Sequence, residues 1–243
     1  MKKKIFFGVY KLKGIVINTI IILLLAIVST VAFVGGNPNA IATNVFNGAY
    51  YNGEINSKNV SLMVNVYWGE EYLDEMLEIL KENDVKTTFF LGGMWVLDNE
   101  EMVKKIVENG HEIANHGYKH KSQDSISQKD ANTEIQTTHN LIKKMTNIDM
   151  NLFAPPSGAM NNQTIDVASK LGYKVIMWTR DTIDWRDKNA DLIYKRATKN
   201  LKGGDLILMH PTKCTLEALP KIISFAKTNG FKLTSVSQTL GQL

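Results

Sequence analysis

Glu112-Ile113-Ala114-Asn115-His116-Gly117-Tyr118-Lys119-His120 is the stretch on which the reading of this chain turns. Glu112 to Asn115 reads as the end of a buried strand, and two histidines four positions apart follow it directly. Residues i and i+4 share a face where the chain turns helically, so the two imidazoles can face one point in space. Two neutral imidazoles converging on a point commonly begin a zinc or similar transition-metal site. Spacing alone is a weak signal, because paired surface histidines are frequent. The rest of the chain gives it weight.

From Val60 onward, short apolar runs alternate with amphipathic stretches. Residues 60–66, 85–91, 173–178, 205–209 and 231–236 read as strands beside the one before His116, and Leu152-Phe153 leads into Pro155-Pro156. Residues 72–80 carry apolar side chains at 72, 73, 76, 77 and 80, one helical face. Further helices fit residues 100–108, 191–200 and 216–228. A long polar helix opens at Ser127, with Asp130 three residues on as a capping box, and runs to about Met145. Asn161 or Asn162 caps another that ends near Gly172. Strand then helix, repeated about seven times, is the pattern of a parallel sheet with helices outside. A barrel fits better than an open sheet, because Asn65, His116, Pro155, Asp181 and His210 all fall at or just after strand ends. In barrels those ends form one rim, where active sites sit.

The ends of the chain set its setting. At 243 residues it has room for one large domain and an appendage. Residues 14–34 are apolar except for Asn18, Thr19, Ser29 and Thr30, long enough to span a bilayer core. Lys2, Lys3, Lys4, Lys11 and Lys13 precede them with no acidic residue, which keeps the N-terminus cytoplasmic and the domain outside. The expected organisation is a basic flank and transmembrane signal-anchor over 1–36, an Asn-rich linker over 37–58 and a domain over 59–243. That makes a single-pass cell-membrane protein with an extracytoplasmic domain. The rival is a secreted domain released at Ala40-Ile41-Ala42. The formal net charge of +4 includes +5 from the first 44 residues, so the remainder is at −1 and gives no argument for nucleic acid. Cys214 is the single cysteine, which rules out an intramolecular disulfide and reads as a plain thiol.

The strand ends, taken alone, give Asn65-Val66-Tyr67-Trp68-Gly69-Glu70-Glu71, His116-x-x-x-His120, Ala154-Pro155-Pro156-Ser157-Gly158, Asp181-x-x-Asp184-Trp185 and Leu208-Met209-His210. In order, spacing and strand context this set resembles the polysaccharide deacetylase family, the NodB homology domain, over about residues 60–239. The nearest branch is that of spore-forming Gram-positive bacteria. The resemblance implies a distorted (β/α) barrel of about seven parallel strands. It also implies a hydrolase that removes N-acetyl groups from an amino-sugar polymer, peptidoglycan first, with a divalent metal, zinc by preference, as cofactor. Such a metal polarises the acetamide carbonyl and lowers the pKa of bound water to about 7.

Residue by residue, the resemblance makes His116 and His120 metal ligands, His210 the acid that protonates the leaving amine and Asp184 its orienting partner. Trp68, Pro155, Trp185 and Leu208 fall where substrate-contacting residues are expected. The first motif departs from the family. Where relatives carry two consecutive aspartates, base then ligand, this chain has Asn65 and Val66, and the arginine expected to tether the base is Ala154. Loss of a general base typically costs about 10²–10⁴-fold in rate. Glu70 or Glu71 is a substitute ligand only if the chain brings it back; otherwise both are acidic residues favourably placed at a helix start. The alternative function is a degenerate relative that binds glycan without hydrolysing it. Asp181 serves equally as loop brace or catalytic group. His111 is expected to be structural, His139 solvent-facing, and Trp95 and Trp178 packing residues.

Overall fold

A computed structural model describes Thr19 and residues 45–241. The expected basic flank and membrane span lie outside the described residues, save Thr19. Among the described residues no helix is long and apolar enough to cross a membrane.

The central strand, β3 (Asn59–Val66), is buried in every residue but the first. Parallel strands covered on both faces read as continuous apolar runs rather than alternations, as here. β4 (Thr88–Leu91) pairs with β3 on one side and β9 (Leu206–Met209) on the other, both parallel. From β4 the parallel sheet continues through β5 (Glu112–Asn115), β6 (Leu152–Phe153) and β7 (Lys174–Ile176) to β2 (Ala49–Tyr50). β1 (Val45–Phe46) adds an antiparallel edge to β2. On the far side β8 (Arg180–Asp181) pairs with β9, while β10 (Lys232–Leu233) pairs with the first two residues of β3 along the edge shared with β4.

No pairing joins β8 to β1 among the described residues; the sheet is a curled half-barrel where a distorted barrel of about seven parallel strands was expected. β2 and β8 went unannounced because each is two residues long, and Arg180-Asp181 carries no apolar run. β2 also corrects the reading of 37–58 as a featureless linker. Ala49 is buried against the sheet, and the Gly53 N–H donates to the Gly204 carbonyl at 2.7 Å.

The two faces of the curl bury different clusters. Phe89 and Phe90, adjacent and fully buried, point to opposite sides as strand residues must. Phe89 joins the outer cluster under the helices; Phe90 joins Met63, Ala114, Leu152, Ile176 and Leu206 on the inner face. Burial of each such side chain stabilises the fold by about 1.5–3 kcal/mol. The outer face is covered by α1 (Leu73–Glu82), α3 (Glu100–Glu108), α4 (Gln128–Thr146), α5 (Asn162–Lys170), α6 (Ala190–Thr198) and α7 (Lys213–Thr228), with α2 (Gly93–Asp98) at the end of β4.

The helix starts follow their caps. Ser127 Oγ accepts from the Asp130 N–H at 3.1 Å, and Asn161 forms a capping box with Thr164. The last expected strand, 231–236, shrinks to β10. Ser235 then caps a short helix, α8 (Val236–Thr239), and Val236 and Leu240 fill the inner face from below.

Candidate functional site

Because the strands run parallel, their carboxyl ends share one rim, the place where ligands bind in such sheets. A cleft of about 440 Å³ opens there, within the usual range for small-ligand sites. The ends of β3, β5, β8 and β9 bring Asn65, His116, Asp181 and His210 to it, and the turn after β6 brings Ser157 and Gly158. Trp68, Trp185 and Leu208 line it, with Tyr67 and Trp178 beside them. Pro155, at the start of that turn, is buried and is not among the lining residues.

On one wall His210 follows β9 and meets Asp184. The His210 N–H donates to Asp184 Oδ2 at 2.6 Å, and its ring Nδ1 lies 2.8 Å from Oδ1. Thr215 Oγ1 donates to Oδ2 at 2.7 Å, and Asp184 is only 1% exposed. A carboxylate can only accept, so Nδ1 carries the proton and Nε2 is left for chemistry in the cleft. Trp68 stacks on the His210 ring at 5.7 Å and 9°. Gly69 makes that approach feasible, since at φ +82° a Cβ would fall 2.3 Å from the Pro211 carbonyl oxygen. The turn that carries Asp184 is strained, with β-branched Ile183 at φ +53°. Asp181 braces it by accepting from the Ile183 N–H at 2.8 Å.

On the other wall the imidazoles of His116 and His120 converge, with centroids 5.1 Å apart. They do so through a left-handed turn, not a helix: Gly117 sits at φ +75° and His120 at φ +54°. Glu134, an acid on the buried face of α4, holds that turn by accepting from the N–H groups of Tyr118 and Lys119 at 2.9 and 2.7 Å. Asn115 Oδ1 accepts from the Gly117 N–H at 2.9 Å. His116 Nδ1 lies 2.8 Å from the Ala154 carbonyl oxygen. Burial, and then the charge of His120, pushes the His116 ring down to about 3. Burial also lowers His120, so both rings are neutral at pH 7.

The carboxylate that would complete a metal site is absent from its expected strand. Val66 is fully buried in the outer apolar cluster, and Ala154 is fully buried as well. Asn65 is 4% exposed, and its Oδ1 is enclosed without a partner among the described residues. A buried polar group left so costs about 1–3 kcal/mol. Glu70 and Glu71 do not reach the imidazoles. They lie exposed in the 3₁₀ turn Glu70–Tyr72 ahead of α1, where acidic side chains complement the helix dipole. Among the described residues no group of three or more His, Cys, Asp or Glu could hold a metal ion. Two imidazoles are half of the four ligands zinc takes, so these residues do not fit such a site.

The remaining histidines are structural. His111 is buried, and its Nδ1 accepts from the Thr87 N–H at 3.2 Å. His139, expected to face solvent, instead lies half-buried with Nδ1 2.6 Å from the Tyr173 hydroxyl. Glu134 and Thr215 were not singled out in the sequence. Glu134 had a legible signal: it falls on the buried stripe of Ala131, Ile135, Thr138 and Ile142, where an acid is out of place. Thr215 had only its helix-start position.

The chain is similar to several known proteins. A 36%-identical relative is a Bacillus subtilis (strain 168) protein described as uncharacterised, YlxY; the match covers 79% of this chain. This chain spans only 60% of that relative's length. A peptidoglycan-N-acetylglucosamine deacetylase of Bacillus cereus is 30% identical, over 70% of this chain and 82% of its own. Among solved structures, a carbohydrate esterase family 4 pseudoenzyme from Bacillus anthracis superposes with a TM-score of 0.78 at 39% identity, covering 80% of this chain and 69% of its own. The model of the polysaccharide deacetylase domain matches residues 52–176, about half of the chain, and includes the histidine pair. The chain belongs to the polysaccharide deacetylase family.

Proposed function

We propose that this domain binds an N-acetylated amino-sugar polymer, peptidoglycan before others, in the rim cleft, and that amide hydrolysis there runs far below the rate of a complete family site. One observation carries the reading: Asp184 and His210 stand ready on one wall, while among the described residues no carboxylate completes a metal-holding group with His116 and His120 on the other. Hydrolysis of an acetamide needs activated water, charge stabilisation on the carbonyl oxygen and a proton for the leaving nitrogen. This chain supplies the proton. Asp184 fixes the His210 ring with Nδ1 inward, so a protonated ring holds its mobile proton at Nε2, toward the cleft. Asn65 cannot take a proton from water. That deficit alone removes about 10²–10⁴-fold in rate.

The relatives support both parts of the reading, since one named match is a peptidoglycan deacetylase and another a pseudoenzyme. The amino-terminal apolar run, as a signal-anchor, would hold the domain outside the membrane, where peptidoglycan lies. The test uses the full chain in detergent with purified peptidoglycan and N-acetylglucosamine oligomers. Binding with little acetate release, with or without added zinc, is expected. Absence of glycan binding would overturn the proposal. Acetate release within tenfold of the Bacillus cereus relative's would overturn its second half and establish an active metal-dependent hydrolase.

A further inference from the structure

Resting on that reading, we infer that Asn65 recognises the acetamido group itself: its amide donates to the acetyl carbonyl while Nε2 of His116 accepts the acetamido N–H. Asn65 lines the cleft at the carboxyl end of β3, more than nine-tenths buried, above the apolar inner face that holds Met63 and Phe90. Its side-chain amide makes no hydrogen bond among the described residues, and Oδ1 is fully enclosed. Nδ2 is not enclosed, so with the oxygen inward the amide presents its NH₂ to the cleft as it stands.

His116 supplies the complement. The Ala154 carbonyl can only accept, so Nδ1 of the neutral ring carries the hydrogen and Nε2 keeps a lone pair. One donor and one acceptor thus line the same cleft. An acetamido group offers the matching acceptor and donor on opposite sides of one planar unit. Leu208, nearly buried in the cleft wall, gives the acetyl methyl an apolar surface. A carboxylate at position 65 has no hydrogen to give a carbonyl. The asparagine that removes a base therefore adds a reader of the uncleaved group.

The test is calorimetric titration of the full chain with the N-acetylglucosamine tetramer and with the fully de-N-acetylated tetramer. The unaltered protein should prefer the acetylated tetramer by about tenfold, the worth of one good buried hydrogen bond. Asn65→Leu should abolish that preference without lowering the thermal midpoint, because it removes a partnerless polar group. Asn65→Asp should reverse the preference, the carboxylate attracting the ammonium groups of the de-N-acetylated chain. Retention of the original preference in both variants would overturn the role of Asn65 and leave glycan binding standing. No binding of either tetramer to the unaltered protein would overturn the proposed function, and this inference with it.

Discussion

On one wall of the cleft, Asp184 gives both oxygens to donors from His210 and Thr215; on the other, the Asn65 side chain has no hydrogen-bond partner among the described residues. The walls also differ in what holds them. The acid wall is a network of side chains, each fixed by the next. The histidine wall is held from behind, by Glu134 and Asn115 on the turn and by the Ala154 carbonyl on the ring. Two convergent imidazoles therefore need no ion to stand where they do. The lesson is that convergence records how the turn is pinned, while chemistry depends on what faces the rings.

The comparison breaks most easily at Asp184. Asp184→Ala leaves two donors of His210 and one of Thr215 without an acceptor in a buried place. A loss of about 3–5 kcal/mol in unfolding free energy is expected from urea denaturation. A loss under about 1 kcal/mol would mean that water replaces the carboxylate and that this wall is no network.

Acid should act on the opposite wall. Folding depresses His116 to about 3 from an ordinary 6.5, so the neutral ring belongs to the folded state and protonation favours unfolding. Its contribution is complete above pH 6.5 and fades as pH falls toward 3, with a slope of up to about 1.4 kcal/mol per pH unit. His111, lowered to about 4 by burial, adds in the same direction. Urea midpoints measured from pH 7 to pH 4 should fall, and less steeply in His116→Asn. An unchanged slope in that variant would place the acid sensitivity elsewhere.

The smallest effect sharpens the contrast from outside the cleft. Glu70→Ala should shift stability by under about 0.5 kcal/mol and leave glycan affinity unchanged. A tenfold loss of affinity in titration calorimetry would mean that the 3₁₀ turn folds inward on a ligand.

Much of this was legible in the chain. Long apolar runs such as 60–66 and capped helices such as the one after Ser127 carry local periodicity and hydrogen-bond chemistry, and both stand where the pattern put them. His116, His120 and His210 reach one cleft because parallel strands bring their ends together. The rest depended on tertiary context. β2 and β8 are too short to show a period, and they exist because a neighbouring strand offers its edge. Glu70 looked available because linear distance hides direction; the chain turns it to solvent before α1 begins. His139 is polar in a polar helix, and only the fold reveals the Tyr173 hydroxyl beside it.

β3, the middle of the sheet, takes partners on both edges from the far end of the chain: Ser61–Val64 lie beside Leu206–Met209 on one, and Asn59–Val60 beside Lys232–Leu233 on the other, the edge shared with β4. During synthesis, β3 can pair with β4 early but waits for β9 with its other edge bare. A bare apolar edge is a template for association with other chains, and contacts of such sequence separation form slowly. Val236 and Leu240 arrive last and seat against the inner face. A copy ending before Val236 would lack the inner-face plug, and one ending before β9 would also leave that edge of β3 uncovered.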